Sequence, residues 1–209
     1  TRRTRRLAVA APRLTAGLSR RALLAGLLAL PACARVTHGA LPEPFGAPIT
    51  AAPALRVVIF EIRQPDLPFH TGLVIRNAAE TVILDPAGQW EPGHLVAVRE
   101  GEVFRHVTPA LEEAFLTRDG IGYLPHSWTT HIVDIPVQAA TAQLAAERAL
   151  AVGPVLPLQC AATVSTLLAG LPGFEDIEPG WITADLLRAL LLRPGVSYTR
   201  REALPAQGG

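Results

Sequence analysis

Through the middle of this chain, continuous aliphatic and β-branched runs alternate with short polar breaks. Helical periodicity takes over only towards the end. "LRVVIFEIR" (Leu55–Arg63) is an unbroken apolar run of strand length and predicts a buried strand. "HTGLVIR" (His70–Arg76) and "TVILDP" (Thr81–Pro86) flank the polar "NAAE" and predict a β-hairpin. "EVFRHVT" (Glu102–Thr108) is a further short strand candidate, and Thr108-Pro109 then opens a short helix with Glu112 and Glu113 in its early turns, where the helix dipole favours acids. "WTTHIVDIPV" (Trp128–Val137) alternates as a strand does. Three helices follow: 139–153, ending at Gly153-Pro154; 159–170, entered after Pro157 and ending at Gly170; and 181–193, apolar enough to be mostly buried, with Pro194-Gly195 beyond. Strands first and helices last, without a βαβ repeat, predict an α+β domain whose largely antiparallel sheet packs against C-terminal helices.

The first 54 residues have a different pattern. Seven arginines and no acid precede Cys33, and the uncharged run Ala22–Ala32 comes after Arg21, which is a signal peptide's basic region and apolar core. Eleven helical residues rise about 16 Å, roughly half of a ~30 Å hydrocarbon core, so the run is too short for a stable span. "SRRALL" (Ser19–Leu24) resembles a twin-arginine export motif. "LPAC" (Leu30–Cys33) resembles a bacterial lipobox, which implies lipidation of Cys33 as the first mature residue. The expected organisation is a signal peptide over 1–32, a lipidated Cys33 with a Pro/Ala/Gly-rich tether over 33–54, a folded domain over 55–201 and a disordered tail over 202–209. The address implied is the periplasmic face of a bacterial membrane, held by the lipid.

The leader also changes the charge balance. The chain holds 19 basic residues, all arginine, and 18 acids; without the leader's seven arginines, 12 face 18, near −6. A domain of that sign without a basic cluster gives no footprint for nucleic acid. The 177 residues from Cys33 onwards suffice for one core. If Cys33 carries lipid, Cys160 has no partner for an internal disulfide. An unpaired thiol in an oxidising compartment asks for a reason.

Cys160 opens a predicted helix, where oriented N–H dipoles favour the thiolate. Its neighbours "AATV" equally suit a small hydrophobe on a core helix, and the sequence leaves both readings open. A nucleophilic thiol requires a base held by a third group. Among six histidines, His38 lies in the tether, His94 in a polar loop, and His106 beside Arg105 with nothing to distinguish it. His126 and His131 could ligate a metal with Asp134, but no spacing rule selects them and no metal or cofactor is expected. His70 begins a strand, with Gly72 two residues on leaving room on the same face. Asp85 ends the neighbouring strand, where it could orient His70 or simply start the Asp-Pro turn.

"HTGLVI" on one strand, a second strand ending in a polar residue and a cysteine opening a later helix together resemble the papain-like NlpC/P60 superfamily. Histidine before cysteine is the order of its circularly permuted branch, which includes lecithin:retinol acyltransferase-like proteins and bacterial envelope hydrolases. The resemblance spans roughly residues 55–170. It implies Cys160 as nucleophile, His70 as general base and then acid, and Asp85 as the orienting residue. It further implies a cysteine hydrolase acting on cell-wall peptide amides or acyl-lipid esters, with the membrane as partner through the anchor. Gln159 is a candidate substrate or oxyanion contact and Trp90 a candidate wall of the substrate groove, whereas Trp128 and Trp181 are expected in the core. Two readings of other classes remain. One is a binding lipoprotein on the same fold, and the other a structural envelope lipoprotein on a different α+β fold.

Overall fold

The computed structural model describes residues 52–63, 66–88, 90–93, 95, 97–117 and 128–202, all within the compact unit Glu43–Gly209. The leader with Cys33, His38, most of the tether, His94, His126 and the tail from 203 lie outside the described residues, as does the side chain of Trp128. The described residues form seven strands and four helices. The strands are β1 (Ala54–Arg63), β2 (Asp66–Arg76), β3 (Thr81–Leu84), β4 (Val98–Glu100), β5 (Val103–Arg105), β6 (Trp128–Pro136) and β7 (Ser197–Glu202). The helices are α1 (Pro109–Thr117), α2 (Ala139–Leu150), α3 (Cys160–Ala169) and α4 (Thr183–Leu191). All pairings are antiparallel in one sheet of order β4-β5-β3-β2-β1-β6-β7. The α+β expectation therefore holds. Among the described residues no helix is long and apolar enough to cross a membrane.

The apolar runs are continuous because both faces of the sheet are covered. On one face Leu55, Val57, Ile59, Leu73, Ile75 and Leu84 meet α2, α3 and α4 through Ala145, Val164, Leu168 and Leu190. On the other, Val58, Phe60, Val74 and Ile83 meet α1 and Trp90. The C-terminal helices thus account for one face only. The sequence expectation left the other without a cover, and α1 together with the segment after β3 supplies it.

Several boundaries move, each for a physical reason. β2 begins at Asp66 rather than at His70, although Pro68 would argue against a strand there. Phe60 pairs with His70 but Glu61 pairs with Pro68, so Phe69 is the extra residue of a β-bulge, a place where a strand accepts proline. β7 was not expected, since its six residues are all exposed and it joins only the edge of β6, without an apolar face to announce it. It also brings Glu202 out of the predicted tail. β5 falls inside the short strand expected over 102–108, whereas β4, three residues without a buried position, was not expected. Trp181 is 62 % exposed and precedes α4, so it is not a core residue.

Gly72 does make room, but for a different ring. A Cβ there would stand 2.6 Å from Phe115 Cζ and 3.3 Å from Leu84 O. Phe115 of α1 uses that space to pack edge-on against Phe60, with centroids 5.6 Å apart, and Phe60 in turn stacks on His70 at 5.9 Å. The missing side chain therefore acts on His70 through two aromatic rings. Replacing Gly72→Ala should destabilise the protein by about 1–3 kcal/mol, as overpacking of a rigid core does, and lower the urea midpoint accordingly. An unchanged midpoint would show that Phe115 yields freely.

Candidate active site

β3 stops at Leu84, opposite Leu73, while β2 runs on in the other direction to Asp66. Beyond that point the edge of β2 that β3 would have covered carries the backbone groups of Phe69 and Thr71. Cys160, the first residue of α3, places its sulfur there. Sγ lies 3.8 Å from the Phe69 carbonyl, and the His70 side chain and the Thr71 N–H are close enough to stabilise its thiolate. His70 Nε2 is 2.6 Å from Asp85 Oδ1, which leaves Nδ1 as the nitrogen facing the thiol. Cys160, His70 and Asp85 are thus connected in series by side-chain contacts. The bulge at Phe69 falls one residue before the histidine, where such a kink re-aims the next side chain.

The three residues are well buried: Cys160 is 4 % exposed, His70 6 % and Asp85 0 %. A short contact between a carboxylate and an imidazole nitrogen is of the charge-assisted kind. Gly88 closes the cradle: its N–H bonds the Asp85 carbonyl at 3.0 Å, and a Cβ on it would overlap the Asp85 carboxylate. The Asp-Pro turn and the orienting role, which the sequence left as alternatives for Asp85, therefore coexist.

Opposing influences act on the thiol. Burial pushes it up, as it does for any group whose charged form loses water. Hydrogen bonding and charge from His70, with the N–H groups of Thr71 and Ala161, more than offset this and leave Cys160 below the ordinary thiol range. The Ala161 N–H belongs to the first turn of α3. The first i→i−4 bond of this helix runs from the Thr163 N–H to the Gln159 carbonyl, at 2.9 Å. The N–H groups ahead of it point towards the sulfur's end of the helix, where negative charge is favoured.

The remaining candidates fall elsewhere. Trp90 is wholly buried, edge-on to Phe104 and Phe115, so it belongs to the core under α1 and not to a groove wall. Gln159 lines a groove of about 510 Å³ with Arg148, Val152, Thr163, Thr166 and Trp181, about 100° around α3 from Cys160. His131 and Asp134 project from opposite faces of β6 and cannot share an ion. His131 Nδ1 is 2.8 Å from the Tyr198 hydroxyl, and Asp134 pairs with Arg56 at 2.7 Å. His106 is an exposed partner of Glu80. No group of three metal-ligating side chains occurs among the described residues.

Sequence reasoning missed Phe60, Gly88 and the bulge at Phe69. "DPAG" signalled a turn but not what the glycine faces, and Phe60 reads as one more apolar position in a buried strand. Searches against protein-family models, curated proteins and solved structures found no match to this chain.

The series of contacts predicts a pH profile. Iodoacetamide labelling of Cys160, read by mass spectrometry of its peptide, should show a rate midpoint below the ~8.5 of a free thiol. His70→Ala should move that midpoint upwards, because burial then acts with less opposition. Gly88→Ala should move it the same way by a smaller amount, through the displaced Asp85 carboxylate. An ordinary midpoint indifferent to both changes would show that the geometry does not activate the sulfur.

Proposed function

We propose that this chain is a cysteine hydrolase on a permuted papain-like NlpC/P60 scaffold. The observation that carries the reading is the contact series Cys160–His70–Asp85, with the thiol held below its ordinary range. His70 Nδ1 takes the thiol proton while Asp85 holds Nε2 and stabilises the imidazolium. The thiolate attacks the carbonyl carbon of an amide or acyl ester, a C–S bond forms, and the oxygen takes up the negative charge. The N–H of Cys160 at the start of α3 is the natural first donor to that oxyanion. His70 returns the proton to the departing amine or alcohol as the C–N or C–O bond breaks. Water, deprotonated by His70, then releases the acid from the thioester and restores the thiol. These steps use only the chain's own side chains, backbone N–H groups and water.

The leader supplies the address in this reading: export, lipidation at Cys33, and action at the periplasmic face on cell-wall peptide or acyl-lipid substrates. Leu156 and Leu158, 66 % and 79 % exposed, immediately precede the site and offer an apolar approach to the thiol. The 4 % exposure of Cys160 favours a second reading, a binding lipoprotein in which the thiol is a packing residue.

Acylation separates the two. Incubation with p-nitrophenyl acetate should give a burst of p-nitrophenol and one acetyl group on the Cys160 peptide. Cys160→Ser should abolish the burst, and His70→Ala should reduce it by about 10²–10⁴-fold, the usual worth of a general base. If Cys160 acquires no acetyl group and the burst is absent, the thiol is a packing residue.

A further inference from the structure

We infer that Glu102 is a positioning residue for this site, one carboxylate that sets the separation between the loop delivering Asp85 and the loop delivering Cys160. The inference rests on the hydrolase reading above. Glu102 sits at the tip of the β4–β5 hairpin, beside Gly101, whose φ of 61° suits the first position of a two-residue hairpin loop. Three of its atoms reach the two loops. Its carbonyl accepts the Asp85 N–H at 2.9 Å, extending the β3–β5 ladder by one residue. Its Oε2 accepts the Ala87 N–H at 3.0 Å, two residues past Asp85. Its Oε1 accepts the Val155 N–H at 3.2 Å, five residues before Cys160. A single side chain thus holds backbone from both loops at once.

The loops need such a tie. Ala87 has φ 55° and Leu158 φ 70°, left-handed conformations that side chains with a Cβ rarely adopt. Each lies two residues from a site residue, and strain of this kind persists only where the surroundings over-determine it. Glu102 bonds Ala87 itself and holds the segment that leads into Leu158. Arg99 of the same hairpin reinforces the first loop through the Gly88 carbonyl at 3.2 Å. The hairpin is thus a brace anchored in the cores by Val103 and Phe104, with the Glu102 carboxylate at its tip touching backbone on both sides. The bonds go to backbone N–H groups, so a neutral amide can replace only part of the function. Glutamine keeps one acceptor oxygen and turns a donor towards the other N–H.

The test uses the full chain, with Glu102→Ala, Glu102→Gln and, as a control for general destabilisation, Leu190→Ala in the α4 core. For each, the pH midpoint of Cys160 alkylation and the p-nitrophenyl acetate burst rate are measured beside the thermal midpoint. Glu102→Ala should raise the alkylation midpoint and slow the burst about tenfold or more, as misplacement of reacting groups does. Glu102→Gln should fall between it and the wild type. Leu190→Ala should lower the thermal midpoint without moving the pH midpoint. Wild-type values in both Glu102 variants, or an equal pH shift in Leu190→Ala, would overturn the positioning role while leaving the hydrolase reading in place. A wild type whose Cys160 is neither acylated nor sensitive to His70→Ala would overturn both.

Discussion

Asp85 is a carboxylate wholly out of water, and its contact with His70 is what makes that burial tolerable. Taking such a charge from solvent costs several kcal/mol unless partners compensate for the lost hydration. The surroundings of the pair can be understood as the means of keeping that contact in place. Phe60 stacks on the imidazole, Phe115 braces Phe60 through the space left by Gly72, and Gly88 leaves room for the carboxylate. The α1 side of the sheet, whose helix the sequence predicted without assigning it a packing role, therefore forms the back wall of the site as well as a core layer.

The thiol arrives from the opposite layer. α3 packs with α2 and α4 on the other face of the sheet, yet its first residue meets His70 because β3 ends early. The sulfur reaches the histidine at the open edge of β2, not through the sheet, and the bulge at Phe69 shapes that edge. An early strand end and a one-residue irregularity are small features, but together they let groups from two separate layers meet. The depressed thiol is a consequence of this meeting. Burial alone would have the reverse effect, and His70 with the nearby N–H groups is what overcomes it.

Rigidity around the site is unevenly supplied. The strands and α3 derive theirs from the two cores, whereas the loops at Ala87 and Leu158 carry strained backbone and rest on hydrogen bonds from the β4–β5 hairpin. Of its two three-residue strands, β5 is anchored in the cores through Val103 and Phe104, while β4 stays nearer the surface. Their value lies in where they stand, between the two loops. The surface ion pairs are a different matter. Exposed pairs such as Arg188–Asp185 are worth little. The partly buried Arg56, which meets both Asp134 and Glu112, joins β1, β6 and α1 into one layer.

By itself the sequence signalled the order of the main elements, the α+β class and the three residues of the candidate site. Apolar runs, Gly-Pro stops and a cysteine at a helix start are local signals that one chain displays without its fold. His70 and Asp85 were legible because they stand at the ends of adjacent runs in a short hairpin. The sequence could not separate Trp90 as groove wall from Trp90 as core, nor show that Gln159 turns towards another groove, because burial depends on what arrives from elsewhere in the chain. β7 and β4 left no trace, since an all-exposed edge strand and a three-residue strand without a buried position carry no periodicity to find. Only the tertiary structure decided that β3 ends where Cys160 must enter, that Phe69 bulges, and that Glu102 spans 15 residues to one loop and 53 to the other. Each of these is a hydrogen-bonded contact between segments far apart in sequence, and such contacts depend on register and chain path, which residue pattern does not encode locally.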